Sequence, residues 1–289
     1  MTPSEKMVRA GRVRCLTPSG YHRMAYREWG DAANPRVVVC VHGLSRCARD
    51  FDTLAAALAA DFRVICPDVA GRGESEWLKN PMEYAIPTYV SDMVTLLARL
   101  DVEIVDWVGT SMGGLIGMGL AAFPSAPIRK LVLNDVGPIV TADSLQRIAT
   151  YLGKAPALPS FAAAEMLIRM TSATFGPHSD EQWRHLTEHM VRKQPDGSFR
   201  LHYDPAIALP FAADVTGKDM ALWNFYDAIK AQTLLLRGAE SDLLRRDTAE
   251  EMTQRGPKAS LVEFAGVGHA PTLMQDDQVR VVREFLLQG

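Results

Sequence analysis

VDWVGTSMGGLIGMGLAA, residues 105–122, reads as a strand that turns abruptly into a helix. Residues 105–108 carry the strand and residues 113–122 the helix, and the turn between them is Gly109-Thr110-Ser111-Met112-Gly113. A serine on so tight a turn takes strained backbone angles. Glycines two places before and two after it let the strand and helix pass closely, so the hydroxyl is lifted out of the sheet and the helix N-terminus points at it.

Working outward, the same rhythm continues on both sides. Residues 36–41 (RVVVCV) form a near-continuous apolar run, as in a strand buried on both faces of a parallel sheet. Residues 62–66 and 130–133 are further strands, and residues 52–60 and 88–100 are helices, the latter spaced through Val90, Met93, Val94, Leu97 and Leu100. Two polar-flanked strands precede them, near residues 13–16 and 23–29. After residue 230 come a strand at 233–236, a helix near 248–253, a strand at 261–264 and a helix at 278–287. Such alternation predicts an α/β fold, a parallel sheet with helices on both faces. Residues 139–230 break the rhythm. They read as helical, with breaks at Pro156, Pro159, Gly176-Pro177 and Pro195, and ten aromatic residues lie there, too many for a solvated linker. The expected organisation is a core of residues 1–138 and 231–289 interrupted by a helical insertion, 139–230.

Composition excludes more than it identifies. The 289 residues are 47% hydrophobic and 22% charged, with a net charge of −3 and both signs mixed along the chain. Disorder, collagen and coiled coil are excluded, and no basic footprint invites nucleic acid. The N-terminus lacks an apolar signal core of about 7–15 residues, and no run approaches ~18 apolar residues, so a cytoplasmic protein without membrane partners is expected. Cys15, Cys40, Cys47 and Cys66 form no C-x-x-C pair. They read as small hydrophobes, with no metal or cofactor implied.

A serine hydroxyl attacks only when a base takes its proton, so Ser111 requires a histidine. His269, in Gly266-Val-Gly-His-Ala-Pro271 after the last strand, lies in a loop at the same sheet edge. His42, after residues 36–41, is the rival base, although His-Gly more often shapes a turn. The base needs an acid to hold its tautomer. Asp242, in Arg237-Gly-Ala-Glu-Ser-Asp242, is the choice from sequence; Glu240 and Asp135, the latter in Asn134-Asp-Val-Gly-Pro138, are the alternatives. The developing oxyanion needs two backbone N–H groups, expected from Met112 and from Leu44 in the turn His42-Gly43-Leu44.

Together these pieces resemble the α/β-hydrolase superfamily. They are His42-Gly43-Leu44, Asp68-Val-Ala-Gly71-Arg-Gly73-Glu-Ser75, the Gly109–Gly113 elbow, Gly238-Ala-Glu-Ser241-Asp242 and Gly266-Val-Gly-His269-Ala-Pro271, spread over nearly the whole chain. The resemblance implies an eight-stranded, mostly parallel sheet with a helical cap inserted after the sixth strand, where residues 139–230 fall. It also implies a Ser…Asp…His triad. Haloalkane dehalogenases and epoxide hydrolases of this superfamily carry aspartate at the elbow, which Ser111 argues against. A serine carboxylesterase acting on a small-molecule ester, by way of an acyl-enzyme, is the reading that survives most broadly. Hydrolysis of a carbon–carbon bond in a dienoic ring-cleavage product and ligand sensing without turnover are the alternatives, and a homo-oligomer is compatible with either.

Other features are weighed against plainer roles. His185-Leu-Thr-Glu188-His189 has the H-x-x-E-H spacing of a zinc site, but no third ligand is identifiable, so it reads as a polar helix face. Arg46, Arg49 and Arg72 near the expected mouth read as solvated loop residues. Trp183, Trp223, Phe225 and Tyr226 are candidates for an acyl pocket or for the insertion's own core.

Overall fold

The computed structural model describes residues 8–154 and 156–288. Two antiparallel strands open it, β1 (Arg9–Thr17) and β2 (Gly20–Trp29). In β1 only Val13, Cys15 and Thr17 turn inward, the period of two expected of a strand with one wet face. In β3 (Val37–Val41) every residue is buried. Val37, Val39 and Val41 enter one core and Val38 and Cys40 the other, so the apolar run does belong to a strand covered on both sides.

The alternation then runs α1 (Asp52–Leu58), β4 (Arg63–Pro67), α2 (Ile86–Leu100), β5 (Val105–Thr110), α3 (Met112–Ala121) and β6 (Ile128–Asn134). It resumes at β11 (Gln232–Gly238), after the intervening segment, with α9 (Arg246–Met252), β12 (Ser260–Phe264) and α10 (Asp276–Leu287). The eight strands are ordered β1-β2-β4-β3-β5-β6-β11-β12, antiparallel through the first three and parallel beyond. Residues of α2, α3 and α9 pack on one face, and those of α1 and α10 on the other. This is the α/β-hydrolase architecture that the sequence leads one to expect. The carboxyl ends of β3, β5, β6, β11 and β12 all meet one edge, where ligands bind in open parallel sheets.

Residues 139–230 hold α4 (Ala142–Ala149), α5 (Phe161–Thr171), α6 (Asp180–Met190), α7 (Ala208–Asp214) and α8 (Trp223–Ala228). Helix is not the whole of it. Strand β7 (Ile139–Val140) pairs with β10 (Met220–Ala221), and β8 (Val191–Lys193) with β9 (Phe199–Leu201). Strands of two or three residues are too short for periodicity to register, which is why the sequence suggests only helices. A small core of its own, with Leu158, Ala164, Ile168, Trp183 and Leu186, closes against Met274 of the sheet-bearing part. No helix among the described residues is long and apolar enough to cross a membrane.

Candidate active site

Strand β5 delivers Ser111 to the sheet edge. Its φ of 51° and ψ of −115° are strained for a residue with a side chain. The flanking glycines explain how the turn closes: a Cβ on Gly109 would come within 2.3 Å of the Gly113 carbonyl, and one on Gly113 within 1.9 Å of the Val41 carbonyl. Trp107, wholly buried in β5, donates its indole N–H to the Gly113 carbonyl at 3.1 Å and braces the start of α3.

His269 arrives in the loop after β12, with Nε2 3.1 Å from Ser111 Oγ. Its Nδ1 lies 2.7 Å from a carboxylate oxygen, and the carboxylate is that of Asp135. The expectation of Asp242 is corrected here. Asp242 is 54% exposed at its side chain and pairs with Arg147 at 2.7 Å, whereas Asp135 is fully buried. Both aspartates lie between Ser111 and His269 in sequence, so chain order could not separate them. Position in the sheet does: β6 lies between β5 and β11, and Asp135 sits at its carboxyl end with φ 56°, a left-handed turn that aspartate tolerates. The turn after β11 contributes instead its serine. Ser241 Oγ donates to Asp135 Oδ2 at 2.6 Å, and the Gly238 amide to Oδ1 at 2.9 Å. Glu240 is exposed. Ser241 was missed from the sequence, although it stands beside the residue chosen.

His42 is not a second base. The Val69 amide donates to its Nε2 at 2.9 Å, so the ring proton sits on Nδ1 and is donated to the Gly43 carbonyl at 2.7 Å. Burial pushes its pKa down to about 4, keeping the ring neutral. It ties the His42-Gly43 turn to the loop after β4. The two expected oxyanion donors, the Leu44 and Met112 amides, have no protein acceptor among the described residues, and both residues line the cavity that Ser111 faces.

Arg72 also departs from expectation. It is fully buried, donating to the carbonyls of Leu44 and Ala70, the Tyr89 hydroxyl and Met112 Sδ, and it lies over the Tyr84 and Tyr89 rings. No carboxylate pairs with it among the described residues. Arg46 is paired with Asp50 and Arg49 with Asp52, so neither is a free solvated cation.

The cavity before Ser111 measures about 140 Å³ and is mainly apolar. Leu44, Met112 and Leu243 line it from the sheet-bearing part, while Val140, Ile148 and Phe211 line it from residues 139–230. None of the four aromatics singled out from sequence lines it. Trp183 and Tyr226 are buried in packing, Phe225 is exposed, and Trp223 lies under the Arg255 guanidinium at 4.2 Å.

An eight-stranded sheet with a serine elbow, a histidine after its last strand and a buried aspartate between them defines a class. The chain belongs to the α/β hydrolase family, whose model matches residues 38–284, and it is a hydrolase. It is 52% identical over 284 residues to a 3-hydroxybutyrate-oligomer hydrolase of Cupriavidus necator, covering 96% of this chain and 97% of that protein. It is 28% identical to the esterase Rv0045c of Mycobacterium tuberculosis, over 98% of this chain and 88% of the other. Among solved structures, a putative hydrolase from Rickettsia typhi superposes with a TM-score of 0.90 at 32% identity, covering 98% of this chain and 99% of that one.

Proposed function

We propose that the chain hydrolyses carboxylic esters through a covalent acyl-enzyme, and that its substrates are short oligomers of 3-hydroxybutyrate. The observation that carries the reading is the hydrogen-bonded line from Ser111 Oγ through His269 to buried Asp135, opening on an apolar cavity. His269 Nε2 takes the proton as Ser111 Oγ attacks the ester carbonyl. The Leu44 and Met112 amides stabilise the negative charge that develops on the carbonyl oxygen. The imidazolium then protonates the leaving alkoxide, and a water activated by the same nitrogen releases the acid and frees Ser111. Asp135 holds the Nδ1–H tautomer throughout. Residues 139–230 act as a cap, because side chains such as Val140, Ile148 and Phe211 close the cavity to a size that suits a short acyl chain. The substrate class follows from the relative in Cupriavidus necator, whose likeness runs the whole length of both chains. Four free, buried thiols suit a reducing compartment, and the cytoplasm is the location this reading takes.

The test is turnover of the dimer and trimer of 3-hydroxybutyrate beside p-nitrophenyl esters of graded length and a ring-cleavage dienoate. Multiple turnovers on the oligomers, lost in a folded Ser111→Ala variant, are expected. Full activity in that variant, a single turnover only, or faster cleavage of the dienoate would overturn the reading.

A further inference from the structure

His185 and His189 lie one turn apart on α6, and the fold supplies the third ligand that the sequence did not reveal. Asp52, the first residue of α1, belongs to a different part of the chain. One of its carboxylate oxygens and one ring nitrogen from each histidine lie within 4.8 Å of one another. His185 Nε2 is 3.5 Å from Asp52 Oδ2. Ligands about 2.0–2.1 Å from a tetrahedral zinc ion are roughly 3.3 Å apart, so small rotations bring this set to coordination distance.

The surroundings leave the donors underused. Asp52 Oδ1 is buried with no hydrogen-bond partner, although a buried acceptor without one carries its full desolvation cost. The His189 ring makes no hydrogen bond among the described residues, and the remaining contact of His185 Nε2 is a long one, 3.3 Å, to the Arg49 carbonyl. Arg49 occupies Asp52 Oδ2 only, and its side chain is one-third exposed, so it can turn outward as a cation enters. A polar cavity of about 250 Å³ adjoins His189, with Glu74 and Glu188 on its wall beside Arg27, Arg49, Arg192 and Lys193, and gives solvent access for water ligands.

We propose that Asp52, His185 and His189 bind one divalent transition-metal ion, zinc by ligand type, with water completing the shell. Two imidazoles with one carboxylate suit zinc, copper or nickel better than magnesium or calcium. The ion clips α6 to α1 and so fastens residues 139–230 to the sheet-bearing part. The consequence reaches the catalytic edge through Leu186, which lies between the two histidines in sequence and lines a small cavity with His42, Thr110 and Pro271. This proposal does not depend on which substrate the enzyme takes. A second cluster, Cys15 with His22 and Asp92, also brings three ligand types together, but it is sealed beneath β1 and β2.

The experiment is titration of the tag-free, metal-stripped chain with Co²⁺ and Zn²⁺, followed by calorimetry, ligand-field absorption and thermal melting. One equivalent should bind, Zn²⁺ should displace Co²⁺, and melting should rise by roughly 5 °C at a hundredfold excess over Kd. His185→Ala, His189→Gln and Asp52→Asn should each weaken binding on the order of 100-fold, while Cys15→Ser leaves it unchanged. The two histidine variants report independently, so a folding defect in one still leaves a reading. Failure of the wild-type chain to bind one equivalent, undiminished binding in both histidine variants, or loss of binding in Cys15→Ser alone would overturn the proposal.

Discussion

Replacing Asp135 by asparagine tests the assignment of the acid most directly. Asp135 accepts from three donors: the Gly238 amide at Oδ1, and Ser241 Oγ and His269 Nδ1 at Oδ2. Asparagine has one acceptor oxygen, so neither orientation of its amide serves all three. With nitrogen toward His269, the imidazole must accept at Nδ1 and its proton moves to Nε2, where it blocks proton transfer from Ser111. With nitrogen toward Gly238, two N–H groups collide. The first arrangement is the wrong-tautomer state, which in a Ser-His-Asp triad costs about 10⁴ in kcat, or roughly 5 kcal/mol of barrier. Asp135→Asn should therefore lose about 10³–10⁴ of kcat with KM little changed. Asp242→Asn breaks only an exposed pair with Arg147, worth about 0–1 kcal/mol, and should stay within about twofold of wild type. Ser241→Ala removes one of the three donors and leaves the histidine bond, so a fall on the order of tenfold is expected. The assay is steady-state ester hydrolysis, with circular dichroism to check folding. If Asp135→Asn kept more than about a tenth of kcat, or Asp242→Asn lost about 100-fold, the assignment would be refuted.

Two further outcomes are expected. Arg72→Met removes a buried cation bonded to the Leu44 carbonyl and Met112 Sδ, and should lower kcat by about 10–100-fold with partial rescue by Arg72→Lys; unchanged kinetics in the methionine variant would show that the charge is idle. Burial lowers the pKa of His42, to about 4, and also those of His178 and His202, so the unfolded chain binds more protons below about pH 6.5 and the urea midpoint should fall from there toward pH 4. Asp68, pushed up by burial to about 6, acts in the opposite sense, its contribution being lost as pH rises through that value; it offsets the histidines only in part, and a midpoint that rose on acidification would contradict this balance.

The elbow shows what local sequence can carry. Glycines at 109 and 113 are required by contacts within the strand-turn-helix unit and its neighbour β3, so the pattern is readable where it stands. The apolar run of β3 is equally direct, because burial on both faces leaves no place for polar residues. His269 was legible from its place, as the one histidine after the last strand, with His42 as its rival until the structure tied that ring to Val69 and Gly43. The acid was not. Asp135 and Asp242 both lie in loops that follow strands pointing to the same edge, and only the packing of β6 between β5 and β11 turns one inward and leaves the other in water. Arg72 and Asp52 belong with Asp135. A buried cation among carbonyls, and a carboxylate brought beside a helix more than a hundred residues away, depend on how distant segments meet.

The chain's own residues thus determined the strand–helix alternation of the sheet and the glycine-flanked turn that carries Ser111, since these follow from periodicity and from close contacts that only glycine allows. Tertiary structure alone decided which aspartate serves the histidine, which side chains wall the cavity and what stands opposite His185 and His189. Those are contacts between segments far apart in sequence, and no local pattern encodes the direction in which a loop side chain finally points.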